Sequence, residues 1–299
     1  MNDNVSLHYF REIGHRTFTS ESSDWVEIQR GMLISIPFYR LITPSEDELT
    51  ELIERSGVLG VRYPTSTAGF GFASSLIICR KLDYDLMALT SKSRNQVKKG
   101  LKNFEIRTVS FHELATEGLG LNRKTFTRQN RNDPKSDKKY WNKICEACYN
   151  TQGIIVYGAY HKNSLAAYMI VLETSNAAEI IIQNSDTEHL GLCPNNILTF
   201  TVTSHYLSSN GPAIPVCYGL SSLEATPSLD RFKSNMGYDF EPIKQRLVFS
   251  RKIKPFLNTT TLSFLNWSQS NLLKKNYFIR KCHALLDRYL AQSTGNNHG

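Results

Sequence analysis

No apolar run in this 299-residue sequence approaches the roughly 18 residues that a membrane-spanning helix needs, so no transmembrane segment is expected. The opening MNDNVSLHYFREIGHRTF is charged and has no apolar core, and no signal peptide is expected either. Cysteine is scarce and scattered, at positions 79, 145, 148, 193, 217 and 282. Cys145-x-x-Cys148 is the one close pair, and a structural zinc site needs a second pair at suitable spacing, so no metal is expected. Isolated, apolar-flanked thiols fit a reducing compartment, and a cytoplasmic location is expected. No helix-turn-helix or finger pattern occurs, which argues against sequence-specific DNA binding. No long repeat or low-complexity tract is visible.

What is present is a basic chain of ordinary globular composition. Lys+Arg number 35 against 27 Asp+Glu, a net charge of +8. The excess points to anionic partners such as phosphates, nucleotides, RNA or a membrane surface, or serves solubility alone. The length suits one or two domains.

Residues 1–23 read as polar and loose. Trp25 to Arg40 alternates as strand, and Ser45 precedes an acidic first turn, which predicts a helix ending at Gly57. VLGVRYP and SSLIICRKLD read as strands around the glycine-bearing loop STAGFGFA, and a helix is predicted from about Asp85 to Asn103. Its lysines form a solvated basic face. Arg94, beside Ser91 and Asn95, is suited to gripping a phosphate or carboxylate with its planar guanidinium. From Phe104 follow a strand, two helices and three strands joined by the short connections HKNS and TSNA, an antiparallel meander. Pro194 opens a helix, PVCYGL is a strand, a short helix ends at Gly237, and a long strand closes the pattern. Beyond Ser250, Leu265, Leu272, Leu273, Phe278, Ile279, Leu285, Leu286 and Leu290 recur at helical spacing and predict one or two amphipathic helices. The tail STGNNHG reads as disordered.

This order, carried by LTSKSRNQVKKGLKNFEI, GIIVYGAYHKNSLAAYMIVLE, CPNNILTFTVTSHYLSSNG and the segment 215–249, resembles the GNAT acyltransferase superfamily, and within it the FemAB-like branch. The likeness covers about residues 85–250. It implies an α+β fold of three layers, with a mixed, largely antiparallel sheet flanked by helices. On this likeness residues 1–103 are a degenerate GNAT-like unit, 104–250 the acyltransferase domain, and 251–299 a helical segment packing back on the N-terminal region.

The resemblance also implies a chemistry: transfer of an acyl or aminoacyl group to an amine. Acyl-coenzyme A (acyl-CoA) is the expected donor and aminoacyl-tRNA the runner-up. No tightly bound cofactor is implied, and the acceptor is a small-molecule, cell-wall or sugar amine. Direct transfer is favoured because no serine or cysteine sits in a nucleophile setting. Many acetyltransferases carry Phe-Tyr-x-x-x-Gly-Phe near the end of the domain. Here the segment is Phe232-Lys233-Ser234-Asn235-Met236-Gly237-Tyr238, so Lys233 stands in the tyrosine's place, as in the FemAB-like branch. Lys233, Tyr218 and, as a substitute base, Glu224 are the catalytic candidates. The donor slot is expected along Ile182, Gln183 and Asn184, with Gly191, Asn195 and Asn196 around the next helix start. Glu188, Gly191 and Cys193 keep one glycine of the usual coenzyme A pattern. Arg94 and Arg128 are candidates for phosphate or acceptor. The alternative is a GNAT-fold binding module that has lost its chemistry.

Overall fold

In the computed structural model, residues 4–130, 132–224, 226–271 and 277–294 are described. They form two compact units. The first comprises the chain up to Gly14, Ile77–Gly219 and Pro227–Phe240; the second comprises His15–Leu76, Leu220–Thr226 and the chain from Glu241 on.

The chain opens with helix α1 (Val5–Ile13), which buries Val5, Leu7, Tyr9, Phe10 and Ile13. This corrects the expectation of a loose segment over 1–23. Val5, Tyr9 and Ile13 recur every fourth residue, a stripe that the polar residues between them mask. The second unit then begins with β1 (Thr17–Thr19), β2 (Asp24–Gln29) and β3 (Met32–Ile36). Helix α2 (Glu46–Ser56) starts as predicted, with the Ser45 side chain accepting from the Glu48 amide. Strand β4 (Gly60–Thr65) runs parallel to β3, and β5 (Phe72–Cys79) follows the glycine loop.

The predicted 85–103 helix is two pieces. A 3-10 turn spans Leu86–Ala88, and α3 (Ser91–Leu101) starts afresh, because Thr90 is extended and its hydroxyl caps the Ser93 amide. Strand β6 (Glu105–Thr108) leads to α4 (Phe111–Glu113), a π turn over Leu114–Gly118, and α5 (Leu119–Arg128). Helix α6 (Lys138–Asn150) precedes the meander β7 (Ile154–His161), β8 (Ser164–Glu173) and β9 (Ala178–Ser185). Then come α7 (Pro194–Leu207), β10 (Val216–Leu220), α8 (Pro227–Asn235), β11 (Asp239–Phe249), α9 (Thr259–Asn271) and α10 (Tyr277–Thr294). Leu272, Leu273, the Phe278 side chain and residues 295–299 of the tail lie outside the described residues.

The strands of the first unit run in the order β10-β9-β8-β7-β6. The β6–β9 contacts are antiparallel, and β10 is parallel to β9. Strand β8 is buried from Leu165 to Leu172 because helices cover the sheet. Helix α7 packs Ile197, Leu198, Val202 and Tyr206 into that core. In the second unit the order is β1-β2-β3-β4-β11-β5. Trp25, Leu33, Leu49, Leu52 and Val61 form one core there. Ala284 and Leu285 of α10 pack with Phe72, Leu247 and Phe249 in another. The fold is thus mixed α+β with a largely antiparallel sheet arrangement, as expected.

One surface cluster of the first unit has a measurable consequence. Arg107 bonds the Glu113 carboxylate at 2.8 Å, and the Ser110 hydroxyl and amide bond it as well, completing a capping box. The Arg107 bond, with those from Ser110, pushes the Glu113 carboxyl down to about 2. A depressed carboxylate stabilises the folded state above its ordinary value of 4.5, and that contribution disappears as pH falls through about 2. Solvent screens the pair, so Glu113→Gln is expected to cost roughly 0.5 kcal/mol at pH 7. Urea unfolding at pH 7 and pH 2 tests this; an equal loss at both would rule it out.

Candidate functional site

The site is built where β9 and β10 part. Their pairing covers only Val216↔Ala178 and Cys217↔Glu179. Beyond that point the two strands diverge, and the gap is a cavity of about 330 Å³. One wall is Ile180 to Ser185, another is Thr125 and Arg128 of α5 with Gln129 just after it, and the rest is Asn195, Tyr218, Leu229, Phe232 and Lys233.

Helix α8 supplies Lys233, the residue of this helix that the fold buries. Its end is clamped. The Thr90 amide donates to the Asn235 carbonyl, Tyr84 Oη to the Met236 carbonyl, and Lys81 Nζ to the Gly237 carbonyl at 2.6 Å. Gly237 has φ +83, and a Cβ there would lie 2.9 Å from the Ala88 carbonyl oxygen, so glycine is required where the helix turns back. The clamp fixes the register that points Lys233 inward.

Lys233 is 8% exposed, and its ammonium lies 4.9 Å from the Tyr218 ring centroid. Among the described residues no hydrogen bond or ion pair reaches Nζ. Burial lowers its pKa, and the charges of Asp230 and Cys217 offset part of that. Tyr218 is held from its other end: its hydroxyl donates to Gln183 Oε1 at 2.9 Å, lies 3.1 Å from Thr199 Oγ1, and Gln183 Nε2 donates to Thr199. Burial pushes the phenol up, and the Thr199 bond lowers it in part. At neutral pH Tyr218 is therefore a protonated donor.

A second network holds the opposite wall. Asn184 Nδ2 donates to Asn122 Oδ1 at 2.7 Å and to Tyr168 Oη at 3.0 Å, and Asn122 and Tyr168 are fully buried. Thr125 Oγ1 donates to the Ser185 carbonyl, which ties α5 to β9. Arg128 Nη1 donates to Thr187 Oγ1 at 2.9 Å. Asn195, in the first turn of α7, donates to Ser185 Oγ at 2.9 Å. Among the described lining residues there is no aspartate, glutamate or histidine, so the cavity is positive in charge.

The structure thus gathers Lys233, Tyr218, Ile182, Gln183, Asn184, Asn195 and Arg128 around one space. Four candidates sit elsewhere. Asn196 is buried behind the wall, donating to Gln96 Oε1 and the Met236 sulfur. Arg94 gives its guanidinium to the Leu86 and Leu89 carbonyls. Gly191 has open space where a Cβ would go, so no close approach demands glycine there. Glu224 belongs to the second unit, where Arg280 and Lys281 hold its carboxylate. Burial acts to raise its pKa, but the Lys281 and Arg280 bonds outweigh it and hold the group below the usual range. That is a poor setting for a general base. Thr199, Thr125 and Asn122 escaped sequence reading, since nothing local separates them from helix residues that merely pack. A larger cleft of about 690 Å³, beside His8, Arg11 and Glu173, holds none of the candidates, and its Glu173 carboxylate accepts from Tyr206.

No family model and no curated protein matches the sequence. Solved structures do match. A FemX crystal structure aligns over 83% of this chain and 91% of its own, with TM-score 0.57 and 10% identity. The fold is FemAB-like GNAT. The C-terminal domain of a putative lysylphosphatidylglycerol synthetase from Agrobacterium fabrum aligns with TM-score 0.55 and 11% identity, over 87% of this chain and 93% of its own. A conserved protein of unknown function from Bacteroides thetaiotaomicron follows at 0.52 and 9%, over 83% and 92%. In this FemAB-like GNAT fold the Lys233 cavity occupies the gap between the diverging strands.

Proposed function

We propose that the protein is an acyltransferase, and that the β9–β10 cavity receives the activated carbonyl of an acyl or aminoacyl donor. The observation that carries this reading is Lys233, a buried ammonium with no hydrogen-bond or ion-pair partner among the described residues, opening into a cavity that holds Arg128 and no described carboxylate. A buried cation is costly unless an anion or a developing negative charge meets it. In direct transfer the amine nitrogen attacks the carbonyl carbon, a C–N bond forms and the carbonyl oxygen becomes an oxyanion. Lys233 donates to that oxygen. Collapse breaks the C–S or C–O bond, and the amine's lost proton ends on the leaving atom, with the Tyr218 phenol as the nearby donor.

Acyl-CoA is the first-choice donor, because Arg128 and the first turn of α7 suit a phosphate-bearing chain. Aminoacyl-tRNA is second; a basic chain suits RNA, and the structurally similar Agrobacterium domain belongs to a putative lysylphosphatidylglycerol synthetase. The acceptor class is a small-molecule, cell-wall or sugar amine, and no tightly held cofactor is required. A binding module without chemistry is the second reading, favoured by the lack of a carboxylate or imidazole base among the described lining residues.

Thermal unfolding with acetyl-CoA, longer acyl-CoA thioesters and charged tRNA separates the readings. One donor is expected to raise the Tm, by about the shift that ~3 kcal/mol of linkage produces at 100 times its Kd. Mass spectrometry of an amine panel incubated with that donor then reports transfer. Binding without any acylated amine favours the module; no donor binding sinks both readings.

A further inference from the structure

The second unit carries a different cation in an unusual position. Arg62 projects from β4 toward β11 and is enclosed by protein, yet it keeps part of its surface open. Its Nε donates to Gln245 Oε1 at 2.5 Å, and Nη2 reaches the Ser221 carbonyl at 3.4 Å. Those contacts use two of the five guanidinium donors. Among the described residues Arg62 makes no ion pair. Burial alone lowers its pKa to about 10, with no carboxylate acting to restore it. Arg246, next to Gln245 on β11, contrasts with it: that arginine pairs with Glu46. Of these two half-buried arginines, one has a counter-ion and the other has none among the described residues, which stability alone does not favour.

The surroundings of Arg62 are prepared for an oxyanion. Gln245 is fully buried, and its amide is committed: Oε1 accepts from Arg62, while Nε2 donates to Ser74 Oγ at 2.5 Å and toward the Ser221 carbonyl. That orients the fork and leaves the Arg62 edge unused. Ser74 and Ser221 are both partly exposed, and the Ser221 amide is tied to the Ser75 carbonyl. Gly71 passes so near that a Cβ would lie 2.5 Å from the Gln245 carbonyl oxygen.

We propose that Arg62, positioned by Gln245 and flanked by Ser74 and Ser221, is a binding site for a single oxyanion group, a carboxylate or a phosphate carried by a small ligand. A guanidinium binds such groups with two parallel hydrogen bonds, and Arg62 retains three of its five donors, Nη1 among them. This site is independent of the acyl-transfer reading.

The test is thermal unfolding of the full chain titrated with sodium acetate and with inorganic phosphate, against sodium chloride at equal ionic strength. A saturable rise in Tm is expected with acetate, phosphate or both, and not with chloride; the responding anion names the chemistry. Arg62→Met is expected to abolish the rise, and Arg62→Lys, which keeps the charge but not the fork, to weaken half-saturation by about tenfold. No saturable rise in the wild type overturns the proposal. So does an unchanged response in Arg62→Met or, should that variant not fold, an unchanged half-saturation in Arg62→Lys.

Discussion

Lys233→Met is expected to leave a folded protein that lacks the acyl transfer proposed above. Removal of one donor to a developing oxyanion typically costs about 10²–10³ in turnover. The fold itself gains. Methionine fills the same buried volume against Tyr218 and Phe232 without a cation that no described residue pairs, and removal of such a charge stabilises on the order of 1 kcal/mol or more. The pH dependence gives a second readout. Lys233 is depressed from 10.5, so in the interval between its folded value and 10.5 the unfolded chain holds a proton that the folded chain has released. Stability attributable to this residue is highest above pH 10.5 and is lost as pH falls through the folded value. The wild type therefore gains stability over that interval, and Lys233→Met lacks this component. Denaturant unfolding from pH 7 to 11, with transfer assays on both proteins, checks the pair of effects. A variant that is less stable than wild type and equally active would make Lys233 a packing residue.

Gly100→Ala is expected to destabilise the protein by about 2 kcal/mol, the usual scale of overpacking. Gly100 lies in α3 where α7 crosses it. A Cβ there would sit 2.6 Å from Ile197 Cβ and 2.8 Å from its Cγ2, with the Cys193 carbonyl oxygen at 3.3 Å. These atoms belong to the first turn of α7 and the residue that leads into it. The neighbour is a branched side chain 1% exposed, with no free end to swing away, so the helices must separate. The displacement reaches the cavity, because Asn195 stands in the same turn and bonds Ser185 at 2.9 Å. Donor binding is expected to weaken along with stability. Gly100→Ala combined with Ile197→Gly, which removes both clashing atoms, tests the cause: the double variant is expected to be more stable than the sum of the single losses. Simple additivity would place the strain elsewhere.

Local chemistry carried much of the architecture. Alternation marked the meander, Ser45 and Gly57 bracketed α2, and Pro194 and Gly237 set the start of α7 and the turn after α8. It failed where local signals conflict. Helix α1 is hidden by polar residues between its buried ones, and the 85–103 helix is split because a threonine cap outweighs a continuous basic pattern. Within the site, Lys233, Tyr218, Gln183 and Arg128 were legible through the order of elements around them. Thr199 and Asn122 were not, since their roles depend on partners far away in the chain.

The sequence by itself determined most of the helices and strands, α1 and the break at Thr90 excepted, and put a lysine one turn before Gly237, because propensity, caps and periodicity act over a few residues. Only the tertiary structure decided that this lysine is buried against Tyr218 without a described partner, that Glu224 is held by Arg280 and Lys281, and that Arg62 has no described counter-ion. The physical reason is that desolvation and charge compensation belong to a neighbourhood, and chain reversals assemble that neighbourhood from residues far apart in the chain, such as Arg62 and Gln245, 183 positions apart.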